Sequence, residues 1–157
     1  MAMSTAAARS LEERLEELEA EHEILRTIHA YSHALAYGEQ EEEFLDCFTE
    51  DAVCEPRPRN SSSRPTVGRA EGRAQLTQFY RNHAHARSKT SPESWFKHVT
   101  GDTRIKRGGN TAVVESHYVT PIEIKYEDGT TEFEVLGMGR YKDQFVKCPD
   151  GRWRIKE

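Results

Sequence analysis

The feature that most constrains the fold of this chain is a change of hydrophobic period near its middle. Over residues 10–37 a set of apolar residues recurs three, four or seven positions apart, which predicts one long amphipathic helix: Leu11, Leu15, Leu18, Leu25, Ile28 and Leu35. From Trp95 onward apolar residues alternate with polar ones, which predicts half-buried strands. Because helices come first and strands afterwards, we expect an α+β domain in which a mostly antiparallel sheet packs against three helices.

Capping and turn residues set the boundaries of the predicted elements. Ser10 and Glu13 have the spacing of a capping box, and Gly38 is placed to end the first helix. Clusters of proline, serine, glycine and asparagine separate the remaining elements. We predict helices at residues 10–37, 40–48 and 71–85, strands at residues 52–55, 95–106, 111–125, 132–147 and 152–156, a turn at residues 68–72, and loops at residues 56–65 and 88–94.

The first half of the long helix carries only a narrow leucine stripe among many charged residues. Such a segment either packs on a partner chain or projects into solvent as a charged arm. The sequence supports both interpretations equally.

Composition excludes several classes of function. The 157 residues suffice for one domain with its own core, which we place at residues 10–157 after a disordered tail at residues 1–9. A net charge of −5 lacks the basic excess of proteins that bind nucleic acid or membrane surfaces. No apolar run reaches the length of a membrane span, and the N-terminus lacks the apolar core of a signal peptide. Three cysteines whose spacing fits neither a disulfide framework nor a zinc site complete the prediction of a cytoplasmic protein.

No strong catalytic motif is present, so candidate site residues are judged by their position. In the first long strand, period two puts His98 on one face with Phe96 and Thr100. There His98 is either a general acid or base, or a core histidine with satisfied hydrogen bonds. Tyr31 lies on the buried face of the long helix. Its phenol either donates a hydrogen bond to a developing enolate oxygen or simply packs in the core.

Other polar residues give weaker indications. His117 and Tyr118 are neighbours on a strand, so only one of them faces the concavity between sheet and helices. Glu134, in the following strand, either lines that concavity or is solvated. His29 and His33 are one helical turn apart, but no third ligand has a suitable spacing, so we expect no metal site.

Several short motifs, each weak alone, occur in a specific order from about residue 10 to the end of the chain. They are residues 11–16 (LEERLE), Ile28-x-x-Tyr31-x-x-Ala34-Leu35, residues 48–53 (FTEDAV), Gly68-x-x-Glu71-Gly72-Arg73, residues 98–105 (HVTGDTRI) and residues 150–154 (DGRWR). In this order they resemble the SnoaL-like domains of the nuclear transport factor 2-like superfamily, nearest the branch of scytalone dehydratase and bile acid 7-alpha-dehydratase.

The resemblance implies a cone-shaped half-barrel with an apolar pocket at its open end, and a homodimer formed through the outer face of the sheet. In the dehydratase branch a histidine at the position of His98 works with an aspartate near the end of the first helix. Pocket tyrosines hold the enolate oxygen, and Tyr31 matches one of them. Ala36 stands where the resemblance expects the aspartate.

An alanine neither orients a histidine nor accepts a proton. Three possibilities therefore stay open: another acid (Glu115, Glu134 or Asp143) replaces the aspartate, His98 works alone, or the pocket only binds a ligand. The fold itself does not decide between them, because it supports many functions.

On the resemblance we expect a lyase or isomerase, dehydratase-like, that acts on a small apolar carbonyl-bearing molecule without metal or organic cofactor. His98 and Tyr31 are the predicted catalytic residues. The predicted substrate-binding residues are Leu35, Phe96, His117, Tyr118 and Glu134. The alternative is a non-catalytic ligand-binding module or a dimeric interaction module. In either case we expect a homo-oligomer, most simply a dimer, and no nucleic-acid or membrane partner.

Overall fold

Three helices and two antiparallel sheets make up the described part of the chain, residues 9–55, 68–88, 96–126 and 128–157 of this computed structural model. The elements in chain order are α1 (Leu11–Tyr37), α2 (Glu41–Asp46), β1 (Val53–Cys54), β2 (Ala70–Glu71), α3 (Gly72–Ser88), β3 (Val99–Gly108), β4 (Thr111–Lys125), β5 (Thr131–Lys147) and β6 (Trp153–Ile155). The predicted loop at 56–65, most of the predicted loop at 88–94, nearly all of the predicted tail at 1–9, and Trp95 lie outside the described residues.

Helix α1 begins and ends where its capping residues predict. The Ser10 hydroxyl accepts a hydrogen bond from the Glu13 backbone, and the Glu13 carboxylate accepts one from the Ser10 N–H, 2.7 Å away. At the other end Gly38 takes the left-handed conformation (φ 76°), and its N–H donates to the Ala34 carbonyl. The N-terminal half of α1 is mostly exposed, whereas Ala20 and the half that begins at Ile24 contribute to the core.

The larger sheet has the strand order β3-β4-β5-β6, every neighbouring pair is antiparallel, and the sheet does not close. Along β4 the buried residues alternate with more exposed ones from Ala112 to Ile122, so one face of the sheet is turned toward the helices. Register irregularities between Gly101 and Arg104, and beside Thr120, add twist and curvature. The expected α+β half-barrel, a curved sheet against three helices, is confirmed.

The core fills the space between the inner face of this sheet and the helices. Its largest fully buried side chains are Trp153, Phe44, Phe145, Ile24 and Leu76. Two buried hydroxyl groups fix the helices in place. The Thr27 hydroxyl donates to the Trp153 carbonyl over 2.7 Å, and the Tyr80 hydroxyl donates to the carbonyl of Ala34 in α1 over 3.3 Å. These bonds hold the last turns of α1, and therefore Tyr31, over the sheet.

Several element boundaries differ from the sequence prediction by a few residues, and two of these differences change how a segment is assigned. β3 begins at Val99, so His98 lies just before the strand. Residues 68–72 were expected to form a turn, but Ala70 and Glu71 form strand β2, in which Ala70 pairs with Cys54. A two-residue strand such as β1 is not stable without a partner, and this pairing has no local signal in the sequence. Gly72, with φ at 72°, lets the chain pass directly from β2 into α3.

Candidate functional site

His98 lies at the centre of a cluster of three tyrosines on the inner side of the sheet. It is 7% exposed, and its Nε2 lies 2.9 Å from the hydroxyl oxygen of Tyr141. The Tyr118 ring stacks against the imidazole at 5.4 Å between centroids and an angle of 14°. The Tyr31 ring meets it edge-on at 5.8 Å. We call these four residues the His98 cluster.

Strands β4 and β5 place two of the phenols side by side. Tyr118 is on the inner face of β4 opposite Gly139 of β5, and Tyr141 is on the same face two residues further along. Their rings stack at 4.7 Å. A Cβ atom at position 139 would lie 2.7 Å from the Tyr118 ring. The glycine therefore provides the space that lets the Tyr118 ring pack over β5 against both His98 and Tyr141.

Two phenols of the His98 cluster stay protonated because they are buried. Burial is the largest cause that raises the pKa of Tyr31 well above its ordinary value, and the nearby Tyr141 raises it further. Burial also raises the pKa of Tyr141. A phenol that stays protonated has a proton to donate, so Tyr141 donates to Nε2 of His98 whenever that nitrogen carries no proton.

Asp143 lies next to the cluster. It follows Tyr141 by two positions on β5 and therefore shares its sheet face. Its charge contributes to the raised pKa values of Tyr31, Tyr141 and Cys54, so its carboxyl group lies near all three. Burial raises the pKa of Asp143 to about 7. Within the described residues no hydrogen bond or ion pair reaches this carboxyl group.

The other predicted substrate-binding residues are not all brought to this place. Tyr118 faces His98, but its neighbour His117 is on the outer face of the sheet. There the His117 Nδ1 lies 3.8 Å from the carboxylate of Asp102, a bulge residue with φ at 50°. The ambiguity of this pair is thereby resolved: the tyrosine faces inward and the histidine outward.

Leu35 is buried in the main core and Phe96 is partly buried beside Ile122, with which it forms a β-bridge. Glu134 is exposed near the start of β5, outside the His98 cluster. The structure therefore brings together Tyr31, Tyr118 and His98 among the predicted residues, and leaves His117 and Glu134 apart from them.

Of the acids considered as replacements for the missing aspartate, only one is near the cluster. Ala36 is buried in the last turn of α1. Glu115 is exposed on the outer face of the sheet, opposite Lys142, and Glu134 is exposed as well. Asp143 alone among the three combines partial burial with a position beside Tyr31 and Tyr141.

Tyr141 is the functional candidate that the sequence analysis missed. The signal that identifies it is the alternation within β5: Phe145 is fully buried, so Asp143 and Tyr141 share its face. The contact between Tyr141 and His98 joins residues 43 positions apart in the chain, so no local sequence pattern predicts it.

Two surface clefts, of about 450 and 310 Å³, lie away from the His98 cluster. The first is bordered by β2 and α3, and the second lies between the start of α1 and strand β3. In the described ranges no group of three His, Cys, Asp or Glu side chains is arranged to hold a metal ion. Nor does that part of the chain contain a helix with the length and apolar character required to cross a bilayer.

Comparison with known proteins identifies the family. The SnoaL-like domain model matches residues 16–157. Rv3472, a function-unknown protein of Mycobacterium tuberculosis, is 26% identical over 87% of this chain and 71% of its own, with a TM-score of 0.62. An NTF2-like protein with a cystatin-like fold from Novosphingobium aromaticivorans is 24% identical over 93% and 83%, with a TM-score of 0.70.

The beta subunit of a putative aromatic-ring-hydroxylating dioxygenase, also from Novosphingobium aromaticivorans, is 20% identical over 90% of this chain and 87% of its own, with a TM-score of 0.65. At this level of identity the likeness concerns the fold. No curated protein matches the chain. Because the family model covers most of the sequence and the solved structures share its architecture, the chain belongs to the SnoaL-like domain family of the nuclear transport factor 2-like superfamily.

Proposed function

We propose that the protein is a lyase or isomerase, dehydratase-like, that moves a proton next to the carbonyl group of a small apolar molecule without a cofactor. The observation that carries the proposal is the buried Nε2 of His98, held 2.9 Å from the Tyr141 hydroxyl among phenol rings. An imidazole takes up and returns a proton near neutral pH, as such a reaction requires. The superfamily to which the chain belongs includes many isomerases and dehydratases.

In the proposed reaction the substrate carbonyl oxygen replaces Nε2 as the acceptor of the hydrogen bond from Tyr141, which leaves Nε2 of His98 free to act as a base. His98 then takes the proton from the carbon next to the carbonyl, the C–H bond breaks, and its electron pair forms an enolate. Tyr141 and Tyr31 donate hydrogen bonds to the enolate oxygen. Their raised pKa values support this role, because both phenols stay protonated and able to donate throughout the physiological range.

The proton on His98 then leaves in one of two ways. In a dehydration it goes to the hydroxyl group that departs as water while the enolate electrons form a carbon–carbon double bond. In an isomerisation it returns to a different carbon of the same molecule. Asp143 supports the first route as a second proton donor to the departing hydroxyl group. Its pKa of about 7 keeps a fraction of its carboxyl groups protonated at neutral pH.

A second candidate function is binding without turnover. Ala36 at the expected acid position, together with tyrosine rings packed directly against His98, favours it. In this account the cluster would hold an apolar carbonyl compound through hydrogen bonds from Tyr141 and Tyr31, and no proton would be transferred.

As a location for either activity we propose the cytoplasm. Cys47, Cys54 and Cys148 are free thiols, which is the state expected in a reducing compartment.

The test uses the aldol adduct of benzaldehyde and acetone, an apolar β-hydroxy ketone whose dehydration to benzalacetone is followed by ultraviolet absorbance. We compare the unsubstituted protein with His98→Gln, and use His117→Gln on the outer face of the sheet as the matched control. Loss of a general base lowers such a rate by about a hundredfold or more. We expect that loss in His98→Gln only, with the far-ultraviolet circular dichroism of all three proteins unchanged.

Binding without turnover predicts a different result. The adduct would raise the melting temperature of the protein and no benzalacetone would form at a rate above that of the buffer. Equal rates for His98→Gln and the unsubstituted protein would contradict the catalytic proposal.

A further inference from the structure

The N-terminal half of α1 carries an apolar stripe that nothing in the described chain covers. Leu11, Leu15 and Leu18 are 77%, 54% and 64% exposed. With His22 and Leu25 they recur alternately four and three positions apart, which is the spacing of the a and d positions of a coiled coil. Leu11, Leu18 and Leu25 occupy d positions, and Leu15 and His22 occupy a positions.

This stripe is on the opposite side of the helix from the face that packs on the domain. The buried face consists of Ala20, Ile24 and Thr27, and at 3.6 residues per turn its centre lies roughly half a turn away from the stripe. On the domain side Glu16 lies 3.5 Å from Arg107 of β3, so this side of the helix is next to the sheet. Leu25, the last residue of the stripe, is partly buried against the core, so a partner meets exposed leucines over residues 11–18.

The charges beside the stripe select a partner. Arg14 and Glu21 occupy g positions, and Glu19 and Arg26 occupy e positions. In a parallel pair of helices each g residue lies beside the e residue of the following heptad on the other helix. A second copy of this chain would thus bring Arg14 beside Glu19 of the other copy, and Glu21 beside Arg26 of the other copy. Both pairs are attractive, and symmetry repeats each of them.

An antiparallel pair is less favourable. There e faces e and g faces g, so any register that joins Arg14 to Glu21 of the other copy also brings glutamates of the two copies together, Glu12 beside Glu19. The charge pattern therefore distinguishes the two directions.

We propose that α1 forms a short parallel coiled coil with α1 of a second copy of the chain. Two heptads are too few for isolated peptides to associate, because each peptide must first overcome the free-energy cost of helix nucleation. In this chain the folded domain already nucleates the helix. The second half of α1 is packed in the core and Ser10 caps its first turn, so the arm is a formed helix before the partner arrives.

The first experiment is sedimentation velocity over a concentration series of the full chain. We expect a reversible dimer that Leu15→Glu and Leu18→Glu each weaken by about a hundredfold or more, since each removes an apolar contact from both helices. Both side chains are exposed in the single chain, so the melting temperature of the monomer should stay the same. Met138→Glu, at a 73% exposed residue of the outer sheet face, is the matched control.

A charge-reversal series tests the direction of pairing. Arg14→Glu and Glu19→Arg each place like charges side by side and should weaken the dimer, whereas the double variant restores opposite charges and should restore dimerisation. Leu11→Cys provides an independent readout. In a parallel pair the two introduced thiols meet at one end and form a disulfide on oxidation, whereas in an antiparallel pair they lie at opposite ends.

Three results would each overturn the proposal. They are a chain that stays monomeric at all concentrations tested, a dimer that only Met138→Glu dissociates, and a dimer in which the double charge reversal fails to restore what the single reversals lose. Absence of the Leu11→Cys crosslink in a dimer sensitive to Leu15→Glu would overturn the parallel arrangement.

Discussion

The Tyr141 hydroxyl oxygen lies 2.9 Å from Nε2 of His98, across the inner face of the sheet. This contact joins a strand near the C-terminus to a residue that precedes β3, and it aims a buried phenol at a buried imidazole nitrogen. The Tyr31 ring lies edge-on to both of these rings, 5.8 Å from the imidazole and 5.9 Å from the Tyr141 ring, so the three side chains pack together. A ligand with a carbonyl oxygen can take the place of the histidine as acceptor.

Tyr141→Phe should change the tautomer of His98 without unfolding the protein. The ring contacts with Tyr118 and Tyr31 remain, so we expect a loss of only about 1 kcal/mol in the free energy of unfolding. With the hydroxyl present, Nε2 accepts and the neutral imidazole carries its proton on Nδ1. Ring-nitrogen NMR of ¹⁵N-labelled protein should show this single tautomer, and a mixture in the variant. If neutral His98 in the unsubstituted protein carries its proton on Nε2, Tyr141 does not donate to that nitrogen and the prediction is wrong.

Gly139→Ala should disturb the cluster more than its size suggests. The added Cβ atom would lie 2.7 Å from the Tyr118 ring, which is itself confined by His98 and Tyr141. We expect a loss of about 1–3 kcal/mol in the free energy of unfolding, measured by urea denaturation.

Gly137→Ala is the control for this substitution, because a Cβ atom there is 3.4 Å from the Thr120 hydroxyl and needs only a small adjustment. Combining Gly139→Ala with Tyr118→Ala should cost less than the two changes added together, since the clash disappears with the ring. Strict additivity would show that the ring and the glycine are not in contact.

Asp143→Asn should change how stability depends on pH. The pKa of Asp143 in the folded chain is about 7, above its ordinary value of 3.8, so the folded state holds this proton more tightly than the unfolded state. The contribution of this proton to the free energy of unfolding is complete below about pH 4, and it is lost as pH rises through about 7. Asparagine does not ionise, so the loss is absent from the variant. Its free energy of unfolding should exceed that of the unsubstituted protein by about 1–3 kcal/mol at about pH 8.

The comparison is made by urea denaturation at about pH 8 and again at about pH 5, where the difference should become much smaller. A difference that is the same at both values would mean that Asp143 is not a carboxyl group with a raised pKa. Glu115→Gln, at an exposed position of β4, supplies the control for a change of surface charge.

Local patterns were sufficient for the helices and long strands of this fold. The capping box at Ser10 and the glycine at position 38 define α1 because the hydrogen bonds that end a helix are made within one turn of it. Alternation correctly placed His98 on the inner side of the sheet, since the period of a strand decides which side chains share a face. Strand β2 was missed because its stability comes from pairing with β1, not from its own residues.

The candidate site was only partly predictable for the same reason. The sequence does not distinguish whether His117 or Tyr118 faces the inner side of the sheet. The packing of β4 against the helices decides it. The roles of Tyr141 and Gly139 depend on the register between β4 and β5. Asp143 was one of three candidate acids, and only its burial beside Tyr31 and Tyr141 separates it from Glu115.

The central claim, that His98 moves a proton next to a carbonyl group, is tested most directly by hydrogen exchange. β-Tetralone is an apolar ketone whose hydrogens next to the carbonyl exchange with D₂O through its enolate, and proton NMR follows their loss. The account predicts that the protein accelerates this exchange above the buffer rate, that His98→Gln reduces the acceleration by about a hundredfold or more, and that His117→Gln retains it. Exchange by His98→Gln at the rate of the unsubstituted protein would contradict the account.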